Sequence, residues 1–106
     1  MRYTGESIQY AIRRAHVEHR KDPTPNTATR LAKLRALRAL YETTVYAPIE
    51  IPGCSGRQRP LREVTEMYRL LKKMHSPYSS ELKRLRFAIW EARKVPVELP
   101  EIDFTA

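Results

Sequence analysis

Eight prolines set where this chain can be helical, because each removes a backbone donor and pushes the residue before it away from helical geometry. They fall at 23, 25, 48, 52, 60, 77, 96 and 100 and leave long proline-free stretches between them. Four of those stretches carry apolar residues at helical spacing, which predicts helices at about 6–21, 27–46, 61–74 and 80–94. Thr4 is the expected N-cap of the first, and DPTPN at 22–26 divides it from the second. APIEIPGCSGRQR at 47–59 forms a loop, and Pro60 stands where the opening of a helix tolerates proline. VPVELPEIDFTA at 95–106 is extended, acidic and apolar. The predicted architecture is all-α: a small, four-helix bundle-like domain over 1–94 with an extended, proline-containing C-terminal tail. At 106 residues the chain is one domain by length.

Projection at about 100° per residue assigns faces. In the third helix Val64, Met67, Tyr68, Leu71 and Met74 form one apolar stripe opposite Arg62, Glu66, Arg69 and Lys73. Arg62 and Glu66, four apart, are expected to pair. In the second helix Leu31, Leu34, Leu37, Leu40 and Tyr41 cover a broad arc. Beside it run Ala28, Ala32, Ala36 and Ala39, small enough for another backbone to come close. A helix apolar on two flanks is expected at the centre of a bundle.

The first and fourth helices are double-faced. Ile8, Ala11, Ile12, Ala15 and His19 make the core stripe of the first, while Tyr3, Tyr10 and Val17 recur every seven residues on the other side beside Arg13 and Arg14. In ELKRLRFAIWEARK, 81–94, the inward residues are Leu82, Leu85, Ile89 and Ala92. Phe87 and Trp90 point away, among Lys83, Arg86 and Lys94. Leaving such rings in water forgoes burial of about 150–250 Å² each, about 4 to 6 kcal/mol at the upper end. Something is therefore expected to cover them. The candidates are the acidic tail of the chain itself, nucleic acid whose bases stack on the rings and whose phosphates meet the cations, or a protein partner.

The formal net charge of +8 points to polyanionic partners, and arginine outnumbers lysine 14 to 6. Guanidinium groups bind phosphate bidentately and stack on aromatic planes; codon usage in a GC-rich genome would give the same bias. Arg57, Gln58 and Arg59 precede a helix N-terminus and form a further candidate anion contact. The single cysteine, Cys54, excludes an internal disulfide and fits a reducing compartment, cytoplasm or mitochondrial matrix. The arginine-rich start hints at an organelle-targeting segment, against which Glu6 and Glu18 count. His16 and His19 lack further ligands for a metal, and no carboxylates stand apart as an acid–base couple. No catalytic residue, metal, cofactor, small-molecule substrate or membrane span is expected.

The third helix contains EMYRLLKKM, and RLRFAIWEARK follows it in the fourth. This resembles the LYR-motif family of small basic helical mitochondrial proteins, which carry Leu-Tyr-Arg on a helix and a phenylalanine on a later one. Met67, Tyr68 and Arg69 match the tripeptide with methionine for leucine, and Phe87 matches the later aromatic. The motif stands in the third helix, where the family has it in the first. The resemblance implies an accessory or assembly subunit of a respiratory-type complex.

The leading expectation is a non-catalytic basic subunit docked within a ribonucleoprotein such as a ribosome, in contact with RNA and neighbouring proteins. The alternatives are the accessory subunit of a multi-subunit protein assembly just described, and a small regulator that binds DNA or a polymerase.

Overall fold

The computed structural model describes residues 1–49, 57–74 and 79–101. In chain order the elements are β1 (Arg2–Tyr3), α1 (Gly5–Lys21), α2 (Pro25–Thr44), β2 (Tyr46–Pro48), β3 (Gln58–Pro60), α3 (Leu61–Lys73), α4 (Ser79–Ala92) and β4 (Val97–Glu98). The fold is all-α with short strands at its seams. Its helices pack in pairs, α1 on α2 and α3 on α4, and α2 also touches α3. The thinnest extent of the Cα trace is 15 Å, room for two layers of helix at the usual spacing of about 8–10 Å.

The first two helices start on the same device. Thr4 Oγ1 accepts the Ser7 N–H at 3.1 Å, and Ser7 Oγ accepts the Thr4 N–H at 3.1 Å. Thr24 and Thr27 repeat this at the head of α2, at 3.2 and 3.0 Å. Such boxes satisfy donors that a helix end leaves open. Pro25 is the first helical residue there, since it has no N–H to lose, so α2 begins before Thr27. It also ends earlier than predicted, at Thr44. The Thr43 and Thr44 hydroxyls donate back to the Leu40 carbonyl at 3.0 and 2.7 Å, and Tyr46 goes into a strand.

The core takes Ile8, Ile12 and Ala15 from α1 and Leu31, Leu34, Leu37 and Tyr41 from α2. Leu61 and Val64 of α3 and Leu85, Ile89 and Ala92 of α4 close it. Several expectations need correction. His19 is not core: it is half-exposed, with Nδ1 2.7 Å from Thr27 Oγ1 at the α1–α2 corner. Ala28, Ala32, Ala36 and Ala39 all face outward with Leu40, so α2 is buried on one flank only. The helices are layered in pairs, and among the described residues no helix is left over to cover that alanine row. Met74 is exposed at the end of α3. Glu66 pairs with Arg69 at 3.1 Å, not with Arg62, on a solvated face where either choice is worth only a few tenths of a kcal/mol, roughly.

The two ends of the described chain meet. β1 and β4 are antiparallel, Arg2 opposite Glu98 and Tyr3 opposite Val97. The N-terminal ammonium lies against the Glu98 carboxylate, which that contact holds below the usual carboxylate range. The Gly5 N–H, at the open start of α1, donates to the Arg93 carbonyl just beyond α4 at 2.8 Å. Tyr41 reaches the same place from below, its hydroxyl 2.6 Å from the Val95 carbonyl and 3.0 Å from that of Ala92. Three elements distant in sequence thus share one corner.

Candidate nucleic-acid interface

Leu85, Ile89 and Ala92 are buried as the projection predicts, Leu82 is only half-buried, and Ala88 joins the inward side, so the opposite side of α4 faces solvent. Lys83, Arg86, Phe87, Trp90 and Lys94 are all exposed, Phe87 at 61% and Trp90 at 48%. The two ring centroids are 6.0 Å apart and tilted by 43°, a favourable aromatic arrangement. Lys94 Nζ lies 3.3 Å from the centre of the indole and 3.8 Å from the Glu91 carboxylate. Lys83, Arg84 and Arg86 form no ion pair among the described residues.

Trp90 borders a hollow of about 270 Å³ between α3 and α4, shared with Tyr68, Thr65, Arg86 and Arg93. Two guanidinium groups therefore flank an indole, with a phenol in the same recess. Arg93 was missed in the sequence, although it lies three after Trp90 and seven after Arg86 and so shares their side of the helix. On the other flank of α4 a wider groove of about 660 Å³ runs between Phe87, Tyr46, Pro48 and Val95. Tyr46 could not be placed there while it was read as the end of a helix; strand β2 turns its ring outward.

The described part of the tail goes elsewhere. Val97 and Glu98 pair with β1, and Leu99 enters the core while its N–H donates to the Met1 carbonyl at 3.0 Å. Residues 102–106, with Phe104, lie outside the described residues. Among the described residues nothing covers Phe87 or Trp90.

The α1 face is partly as expected. Tyr10 is 64% exposed, and Arg13, Arg14 and Val17 point outward with it. Arg14 sits 6.0 Å from the Tyr10 ring centre. Tyr3 is not on this helix, because Thr4 caps α1 after it; it is half-buried in β1 and packs against the core. It nevertheless meets Tyr10 and Arg14 in a hollow of about 560 Å³, with the Glu18–Arg30 pair, 3.2 Å, on the rim.

Arg57, Gln58 and Arg59 are exposed, but the last two belong to β3, with Gln58 opposite Pro48 and Arg59 opposite Ala47. The Leu61 N–H, first of α3, donates to the Val45 carbonyl at 2.8 Å and is not open to an anion. Gly53, Cys54 and Gly56 lie outside the described residues. Met67 and Tyr68 pack partly against the core, and Arg69 is held by Glu66 at the surface. Among the described residues no group of three metal-ligating side chains comes together, and no helix is long and apolar enough to cross a membrane.

No family model, curated protein or solved structure matches this chain. The likeness to the LYR-motif family stays at Tyr68, Arg69 and a distant phenylalanine. What the α4 face can do is therefore argued from its chemistry.

Proposed function

We propose that this protein is a non-catalytic, basic helical subunit of a ribonucleoprotein, and that it meets single-stranded RNA along α4. The observation that carries this reading is the half-exposed Trp90 between Arg86 and Arg93, with Tyr68 in the same hollow. A base entering there stacks on the indole, and the guanidinium groups on either side reach the adjoining phosphates. Lys94 now covers one face of the ring. An exposed cation–π contact is worth about 0.5–1 kcal/mol, whereas stacking a base is worth about 1–3 kcal/mol. The base displaces the ammonium, which is then free to pair with phosphate. Phe87 offers the next stacking surface, 6.0 Å away. Tyr10, Arg13 and Arg14 on α1 supply a second basic aromatic face, and the net charge of +8 favours encounter with a polyanion. One cysteine in the chain suits the reducing compartments where such assemblies work.

Trp90 is the only tryptophan, so its fluorescence reports the site directly. Titration with a single-stranded oligonucleotide should quench it saturably. Phosphate contacts from Arg86, Arg93 and Lys94 give a log–log salt slope of about −2.1, at about −0.7 per contact. An affinity flat across a salt titration, or a Trp90→Ala variant that binds a labelled oligonucleotide as tightly as the parent, refutes the assignment.

A further inference from the structure

The groove on the other flank of α4 has a different character from the Trp90 hollow. Its walls are Tyr46, Pro48, Phe87 and Val95, and its floor includes Ala88 and Ala92, both buried and one helical turn apart. Small floor residues let a second helix approach α4 closely. Lys83 and Arg84 stand at one end, exposed and without an ion pair among the described residues. Glu91, partnered by Lys94 at 3.8 Å, lines the same groove two turns further along. From Lys83 to Ala92 the helix rises about 14 Å, two and a half turns of a partner helix laid alongside.

Charge decides between occupants. A polynucleotide running the length of the groove would carry its phosphates over an apolar floor and past the Glu91 carboxylate. An amphipathic helix with carboxylates at one end sets them against Lys83 and Arg84 and lays its apolar side on Tyr46, Phe87 and Val95. We propose that this groove is a docking seat for an acidic-ended amphipathic helix of a protein partner, separate from the RNA contact at Trp90. α4 then bridges a nucleic acid on one flank and a protein on the other, with Phe87 as the ridge between them.

The test uses the full chain, isotope-labelled for amide NMR, and a synthetic helix of about four turns with leucines on one side and glutamates in its first turn. The expected result is saturable shifts at the amides of Tyr46, Ala88, Ala92 and Val95. A matched peptide with lysines for the glutamates should bind at least about tenfold more weakly, the size of one lost charge-assisted contact. Tyr46→Ala, or Val95→Glu if the former disturbs the hairpin, should weaken the peptide by a similar factor while leaving oligonucleotide quenching of Trp90 intact. Trp90→Ala should do the reverse, weakening a labelled oligonucleotide and sparing the peptide, so the two proposals fail separately. The inference is overturned if both peptides bind alike, if none shifts the groove amides at millimolar concentration, or if an oligonucleotide shifts them and Tyr46→Ala abolishes that binding. It is overturned equally if the groove amides shift on dilution of the protein alone, which would make a second copy of this chain the occupant.

Discussion

Replacing Tyr41 with phenylalanine removes one oxygen from the largest fully buried side chain, and what that oxygen holds is fully visible. Its hydroxyl has one proton to donate and faces two carbonyls, Val95 at 2.6 Å and Ala92 at 3.0 Å. Ala92 also accepts the Val95 N–H at 3.2 Å, so it keeps a partner when the hydroxyl goes. The Val95 carbonyl, half of the turn that aims the chain into β4, loses the shorter of the two bonds. One hydrogen bond lost with its acceptor left behind costs about 1–2 kcal/mol. In urea that moves the unfolding midpoint by about 1 M for a chain of this size. The loss also depends on pH. Burial pushes the phenol above its ordinary value, against the Gly5 N–H and the Arg93 charge, which pull it down. The unfolded phenol gives up its proton near pH 10, roughly, and the folded one only at higher pH. Between those values the folded chain binds one more proton than the unfolded chain, and stability falls as pH rises, by up to about 1.4 kcal/mol per pH unit. The contribution is complete below the unfolded value and lost on passing through the folded one. Tyr41→Phe has no such proton, while the other tyrosines and lysines are common to both chains and cancel. Urea unfolding followed by far-UV circular dichroism should therefore show a gap between parent and variant at pH 7 that narrows above about pH 10. Equal stability at pH 7, or a gap that stays constant through the alkaline limb, refutes the role given to the hydroxyl.

Gly5→Ala should destabilise by about 1–3 kcal/mol in the same urea assay, because the new Cβ would lie 2.9 Å from Arg93 Cγ and 3.1 Å from its Cα, and backbone cannot swing aside. Leu85→Ala, at a position with 0% exposure, should cost about 2–5 kcal/mol by thermal or urea unfolding, whereas Leu40→Ala should cost less than about 1 kcal/mol. Ala36→Gln should change stability by no more than about 0.5 kcal/mol; a loss of several times that would mean the alanine row of α2 is covered after all.

Both faces of α4 were legible because fourteen consecutive residues keep one helical period, and a face read from period survives any choice of neighbours. The start of α1 was legible for a local reason, Thr4 and Ser7 closing on each other. The start of α2 used the same local signal and was still missed. Pro25 read as part of a spacer, although Thr24 with Thr27 marks the cap. What could not be read depends on partners far along the chain. Strands of two or three residues show no alternation, so β1 and β4 exist in the sequence only as residues able to pair. Tyr41 looked like one more apolar residue on a broad arc; its depth depends on carbonyls that α4 and the following turn bring to it. Period gave α2 two apolar flanks but not which of them would find a neighbour. At the candidate site, Trp90 and Arg86 were legible from α4 alone, whereas Tyr68 joins them only through the packing of α3 on α4.

The seam between β1 and β4 also fixes an order of assembly. Its strands are residues 2–3 and 97–98, so residues 4–96 must all be synthesised before the ladder can zip. Closing a loop that long costs about 4 kcal/mol of chain entropy, far more than joining neighbouring helices across a short connection. The Gly5 N–H and the Tyr41 hydroxyl therefore gain the carbonyls they cap only once the last turn of α4 is in place, and those bonds latch α4 to the α1–α2 pair.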